Sequence, residues 1–259
     1  MDIITLNQAN IEHEHVCCAI GNDKESRLRA QTKKEWLRHA FEHGLVFKRL
    51  NVRGKVFIEY VPIEYAWKPV IGHNYMLIHC LWVSGQFKGQ GFATALLNAC
   101  KHDALAQKMD GIVVVTSSNV KPFLTDKNFY LKHGFEVVDT ALPYFELLAL
   151  KLNTTAPTPH FTEQAKRAEC DNKNGFTFIY CDQCPFMKET VVSLSRTAHE
   201  MEYATNIIHL TNPKEAQTLG SPFGTFGIYF NGKLITHEPM SSEKFRKVIA
   251  SLQEANIGL

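Results

Sequence analysis

The sequence predicts an α/β (α+β) fold in two units, a larger N-terminal one and a small C-terminal one. Three observations predict it. Short apolar strand patterns alternate with helical ones up to Leu152. A polar, proline-bearing stretch, Asn153-Thr154-Thr155-Ala156-Pro157-Thr158-Pro159, then interrupts the pattern. A second strand–helix series resumes at Phe176 and places Asn231-Gly232, a strong hairpin signal, between two apolar runs. The expected division is a domain over 1–152, a linker over 153–171 and a second domain over 172–259. With 259 residues, each unit is long enough for its own core.

Residues 3–6 read as a short strand. Residues 25–43 read as a polar helix stopped by Gly44. The apolar runs 45–50 and 56–60 flank Arg53-Gly54 as a hairpin. A strand over 75–83 leads into a glycine-bearing turn over 84–91 and a helix over 92–108, with Leu96, Cys100 and Ala104 on one face. Ile112-Val113-Val114-Val115 reads as a buried strand, 123–132 as a helix stopped by Gly134, and 135–138 and 144–150 as closing strands. In the second unit, strands are expected at 176–180, 206–210, 225–230 and 233–237. Helices are expected at 181–203 and 241–254, the latter capped by Ser241.

Lys and Arg number 28 against 26 Asp and Glu, with no long block of either sign, so nothing in the charge supports a nucleic-acid partner. The N-terminus lacks a basic flank with a long apolar run, and the longest apolar stretches are too short to span a bilayer. A cytoplasmic location without a membrane partner is the expectation. The seven cysteines, an odd count with irregular spacing, argue against a secreted disulfide framework. Cys80 and Cys100 lie in apolar patterns and read as packed thiols. The vicinal Cys17-Cys18 reads as solvated or packed.

The turn Gln86-Phe87-Lys88-Gly89-Gln90-Gly91 stands between a strand and a helix. That order offers free main-chain N–H groups and the positive end of a helix dipole to an anion. Gly89 and Gly91 allow close approach of the main chain, and Lys88 adds a cation. A Walker loop would need Gly-Lys-Ser/Thr, which Gly91-Phe92-Ala93 does not supply. A dinucleotide fold would need a small residue at Thr94 and an acid after the next strand, where Val115-Thr116-Ser117 offers none.

The Gln-x-x-Gly-x-Gly pattern resembles the CoA-binding motif of the GNAT superfamily of N-acetyltransferases. Phe129-Tyr130-Leu131-Lys132-His133-Gly134-Phe135, farther on, resembles that family's Phe-Tyr-x-Lys-x-Gly-Phe segment. The resemblance covers roughly residues 1–150. It implies a mixed sheet that splays at the strand before the turn, and acetyl-CoA as the acetyl donor. It implies that the edge at Leu81, Trp82 and Val83 holds the pantetheine arm. Lys88, Gly89, Gln90, Gly91, Phe92 and Ala93 would hold the pyrophosphate, and Asn119 either contacts the cofactor or is a turn residue. It also implies that Tyr130 protonates the leaving thiolate, the other reading being a helix tyrosine packed on the sheet. Asp126 departs from the family, which has a small residue there. The acceptor would be a small-molecule or peptide amine. For the base, Glu59, Glu64 and His79 are candidates. The two acids also fit strand core or solvated positions, and His79 also fits a satisfied core histidine.

Cys181-Asp182-Gln183-Cys184 follows the strand 176–180, where a helix N-terminus would favour a thiolate at Cys181. Redox chemistry, soft-metal capture, a zinc site and plain structure all stay open. With one pair only, zinc lacks its usual four ligands, so no metal ligands are assigned. The element order from 172 resembles a minimal thioredoxin-like domain, with Cys181 and Cys184 as its reactive pair. Gly224 stands where that family has a cis-proline, with Pro222 two residues early. The two-part arrangement is similar to the YoaP-like group of bacterial GNAT proteins. Two functions are carried forward: an acetyltransferase with an appended thiol domain, and a CoA-binding thiol-redox or metal-binding protein with weak catalysis. Homodimer formation is left open.

Overall fold

The computed structural model describes residues 2–16 and 19–257, so the Cys17-Cys18 pair lies outside the described residues. Strand β1 (Ile3–Leu6) leads to helix α1 (Lys24–Phe41), which starts where the Asp23 side chain accepts from the Ser26 N–H at 2.8 Å. β2 (Val46–Leu50) and β3 (Val56–Pro62) form the expected hairpin, and a short β4 (Val70–Ile71) precedes β5 (Tyr75–Val83). The glycine turn feeds α2 (Phe92–Ala106). β6 (Gly111–Ser117), α3 (Lys127–Leu131), β7 (Glu136–Ala141) and β8 (Phe145–Lys151) follow. The seven long strands form one mixed sheet, ordered β1-β2-β3-β5-β6-β8-β7, in which only β5 and β6 are parallel neighbours.

Side chains alternate across this sheet, so each strand feeds two cores. On one face Ile58, Tyr60, Met76, Ile112 and Val114 pack under Leu96, Leu97, Cys100 and Ala104 of α2. On the other, Phe57, Leu77, Val113 and Val115 pack with Trp36 and Leu37 of α1, and this core runs on into the second unit.

The chain continues through β9 (His160–Phe161) and α4 (Glu163–Arg167) to β10 (Phe176–Tyr180), α5 (Met187–Glu200) and β11 (Thr205–His209). It ends with α6 (Pro213–Leu219), β12 (Phe226–Phe230), β13 (Lys233–Thr236) and α7 (Ser242–Ile257). The second sheet is ordered β11-β10-β12-β13, with β10 and β11 parallel and the rest antiparallel. Asn231 and Gly232 both have positive φ, as the expected tight hairpin turn requires. Among the described residues no helix is long and apolar enough to cross a membrane.

Three expectations change. The stretch 153–171 is structured: β9 pairs with β4, and the Phe161 N–H donates to Asp139 at 2.8 Å. Ala156, Phe161 and Ala165 enter the shared core, and their apolar surface is what holds the segment down. The helix expected from 123 begins at Lys127. Phe123 has φ +64, and the Asp126 side chain caps the helix by accepting from the Asn128 N–H. The family departure at Asp126 is thus a helix cap. The helix expected from 181 begins at Met187, because Pro185 has no N–H and biases Cys184 away from helical geometry.

Candidate active site

β5 and β6 pair from Tyr75↔Gly111 to Ile78↔Val114 and then part, β5 running on to Val83 and β6 to Ser117. A β-bulge accompanies the parting. Tyr60 opposes Ile78 and Glu59 opposes Cys80, which leaves His79 as the extra residue. A cleft of about 580 Å³ opens in the gap. Its walls belong to both cores: Leu81, Phe92 and Tyr130 on the α2 side, Trp82, Val115 and Phe223 on the other. The cleft therefore passes through the sheet, and the second unit forms part of its far end.

The near end is the glycine turn. Gly89 and Gly91 have φ +75 and +78, and a Cβ at either would meet no protein atom within 4 Å. These glycines shape the main chain and leave the space before it open. The first bond of α2 runs from the Ala95 N–H to the Gly91 carbonyl, so the N–H groups of Phe92, Ala93 and Thr94 have no helical acceptor. Lys88, Gly89, Gly91, Phe92 and Ala93 line the cleft together with Leu81, Trp82 and Val83. Gln90 does not line it, and its amide donates to the Gln86 carbonyl at 2.5 Å. Asn119 lies by a separate pocket of about 190 Å³, where its carbonyl accepts from the Ser117 hydroxyl.

Tyr130 is fully buried, lines the cleft, and has no hydrogen-bond partner of good geometry for its hydroxyl. Burial pushes the phenol well above its ordinary range. Thr125 gives its own proton to the Leu81 carbonyl at 3.0 Å, on the splayed edge. An orphaned buried hydroxyl beside an open cradle of main-chain N–H groups fits a long thioester that carries a diphosphate.

The GNAT acetyltransferase domain model matches residues 53–137, and the YoaP-like model matches residues 205–247. The chain is 40% identical over 252 residues to the uncharacterized N-acetyltransferase YoaP of Bacillus subtilis (strain 168), covering 97% of this chain and 100% of that protein. The chain belongs to the YoaP-like GNAT N-acetyltransferases. Its fold is also similar to that of the PaiA N-acetyltransferase of Thermoplasma acidophilum solved with coenzyme A, at 16% identity, 58% of this chain and 99% of that one, TM-score 0.39. The aminoglycoside 6′-N-acetyltransferase of Enterococcus faecium gives 14% identity, 61% and 100% coverage, and TM-score 0.41. GNAT enzymes take their acetyl group from acetyl-CoA, so this YoaP-like chain is an acyltransferase that uses that donor.

In this YoaP-like enzyme the base candidates are tied up. Glu59 is buried, accepts from Lys33 at 2.5 Å and from Gln183 of the second unit at 2.8 Å, and faces His79 Nδ1 at 3.3 Å. Burial alone would raise its pKa, but Lys33 and His79 outweigh it and hold the carboxyl down to about 2. His79 Nε2 accepts from the Trp67 N–H at 2.9 Å, which leaves the proton on Nδ1 facing Glu59. Burial lowers the His79 pKa, so the ring is neutral. Glu64 is spent outside the cleft, on the Asn74 N–H and on His73.

The cysteine pair also differs from expectation. Cys181 directly follows β10 and lies six residues before α5, fully buried. Burial pushes its thiol up to about 12 and raises Cys184 as well, so no dipole-stabilised thiolate is found at Cys181. Cys184 is the more exposed of the two. Cys80, on the cleft wall, is also raised to about 12 by burial. Among the described residues no group of three or more His, Cys, Asp or Glu is placed to hold a metal ion.

Several site residues carry no sequence motif. Lys68 is 2% exposed and lines the far end of the cleft, where its Nζ donates to the Phe223 carbonyl. Gly224 has φ +95, and a Cβ there would sit 2.4 Å from the Trp67 carbonyl oxygen and 2.7 Å from Lys68 Cγ. Glycine at this position thus lets the second unit close on Trp67 and Lys68. His237 Nε2 donates to the Pro122 carbonyl at 3.0 Å, and its Nδ1 accepts from the Tyr144 hydroxyl at 2.7 Å, a second tie between the units.

Proposed function

We propose that this enzyme moves the acetyl group of acetyl-CoA to an amine of a small molecule or peptide that enters the cleft from the face opposite α2. The observation that carries this reading is the cleft through the sheet, with the orphaned Tyr130 hydroxyl inside it. The N–H groups of Gly89, Gly91, Phe92 and Ala93, with Lys88, would hold the diphosphate. The splayed edge at Leu81, Trp82 and Val83 would hold the pantetheine arm. Gln90 would brace the turn, and Asn119, beside its own pocket, would stay clear of the reacting atoms.

A raised pKa keeps the Tyr130 phenol protonated at neutral pH, which suits it to donate to a leaving sulfur as negative charge develops there. With Glu59 ion-paired and His79 accepting from Trp67, the proton of an incoming ammonium would leave through water. Cys181 and Cys184 belong in this reading to a thioredoxin-like domain over 172–259, supported by its element order and by the pair after its first strand. Their thiols would serve redox or soft-metal chemistry behind the acceptor end.

The test follows free CoA thiol released from acetyl-CoA across a panel of amines. Tyr130→Phe should lower turnover about 100-fold with little change in CoA affinity. Unchanged turnover would remove Tyr130 from the mechanism. A wild-type enzyme that binds CoA yet acetylates no amine would favour a CoA-binding thiol protein.

A further inference from the structure

We propose that Lys68 is itself an acetyl acceptor, so that the enzyme acetylates its own chain at the contact between its two units. The inference rests on the reading of the cleft as the acetyl-CoA site. Two lysines line that cleft. Lys88 sits on the glycine turn, where a diphosphate needs its charge. Lys68 sits at the opposite end, with Phe223, on the face from which an acceptor would come.

The surroundings of Lys68 are those of a nucleophile. Its ammonium is buried against the Phe223 ring, 5.1 Å from the ring centre, and its hydrogen-bond partner is a neutral carbonyl. Glu59, the carboxylate whose charge reaches it, is already held by Lys33 and Gln183. Burial lowers the Lys68 pKa to about 8. Roughly a quarter of the side chain is then neutral at a pH of about 7.5, against about a thousandth for an exposed lysine. A neutral amine that donates one N–H to the Phe223 carbonyl keeps its lone pair free and is held in one orientation. Lys68, Cys80 and Tyr130 line the same cleft, which places nucleophile and hydrogen-bond donor in one space with the β5 residue Cys80.

In the step, the Lys68 nitrogen bonds to the acetyl carbon and the carbon–sulfur bond breaks. The electron pair leaves on sulfur, beside the Tyr130 hydroxyl. The proton shed by nitrogen ends on that sulfur, giving acetyl-lysine and CoA thiol. No oxidant or further reactant is needed.

The experiment incubates the full-length protein with acetyl-CoA and follows peptide masses over time, with acetyl-CoA binding measured by calorimetry on the same preparation. Lys68 should gain an acetyl group at least about 10-fold faster than the exposed Lys24 and Lys247. Its rate should not depend on protein concentration, and it should level off above a pH of about 8, while the exposed lysines keep rising toward about 10. Tyr130→Phe should slow Lys68 and leave Lys247 unchanged. Lys68→Arg, which keeps a cation for the Phe223 carbonyl, should lose the fast label. Protein that binds acetyl-CoA but leaves Lys68 unmodified, or labels it no faster than Lys247, would overturn the inference and spare the cleft. Absence of binding would overturn both.

Discussion

The Gln183 side-chain amide donates to the buried Glu59 carboxylate at 2.8 Å across 124 positions of sequence. One of the two residues between the cysteines of one unit thereby adds a donor to an acid on the central sheet of the other. Because Glu59 opposes Cys80 in the β3–β5 ladder, this contact lies at the edge of the cleft. Gln183→Leu should cost about 1–3 kcal/mol of stability, since it leaves a buried acceptor short of a donor. Urea unfolding checks this, and a loss below about 0.5 kcal/mol would show that the contact is incidental.

Lys33 and Glu59 are each 1% exposed in their side chains. Lys33→Met should cost about 3–5 kcal/mol, because it strands a buried carboxylate. Adding Glu59→Gln should return part of that loss. The same pair sets acid stability. Glu59 is depressed from 4.5 to about 2, so its contribution is present above about pH 4.5 and disappears as the pH falls toward 2. Thermal unfolding between pH 6 and 2 should show this drop in the wild type and a flatter profile in the double variant.

Alkylation should label Cys184 before Cys181. Both thiols are raised by burial, and Cys184 retains the solvent exposure that Cys181 lacks. The helix-dipole expectation gave the opposite order. Timed labelling with iodoacetamide and peptide mapping decides between them, and faster labelling of Cys181 would restore the dipole.

Gly91→Ala should fold, with a loss of about 1–2 kcal/mol from its left-handed φ of +78. A Cβ there touches no protein atom, so its further effect should fall on the ligand, weakening CoA by about 10-fold or more. CoA affinity unchanged from wild type would place the diphosphate elsewhere.

Much of this architecture was legible in the sequence, and what was legible was local. The glycine turn, the strand before it and Tyr130 lie within about 55 residues and carry their geometry in short patterns. The helix starts at Lys127 and Met187 are hidden in the sequence, because Asp126 acts as a cap and Pro185 as a breaker inside stretches that read as helical. The segment 153–171 looked like a linker on composition, but Phe161 and Ala165 find partners on β4 and in the shared core. Lys68, Phe223 and Gln183 had no signal of their own. Lys68 meets Phe223 across 155 positions, and only the docking of the second unit makes either a cleft residue.

Calorimetric titration of acetyl-CoA into the full-length protein tests the placement of the donor most directly. Binding at one site per chain is expected, weakening as salt screens the diphosphate from Lys88 and the α2 N-terminus. A titration without heat of binding at low salt, repeated at a second temperature, would contradict it.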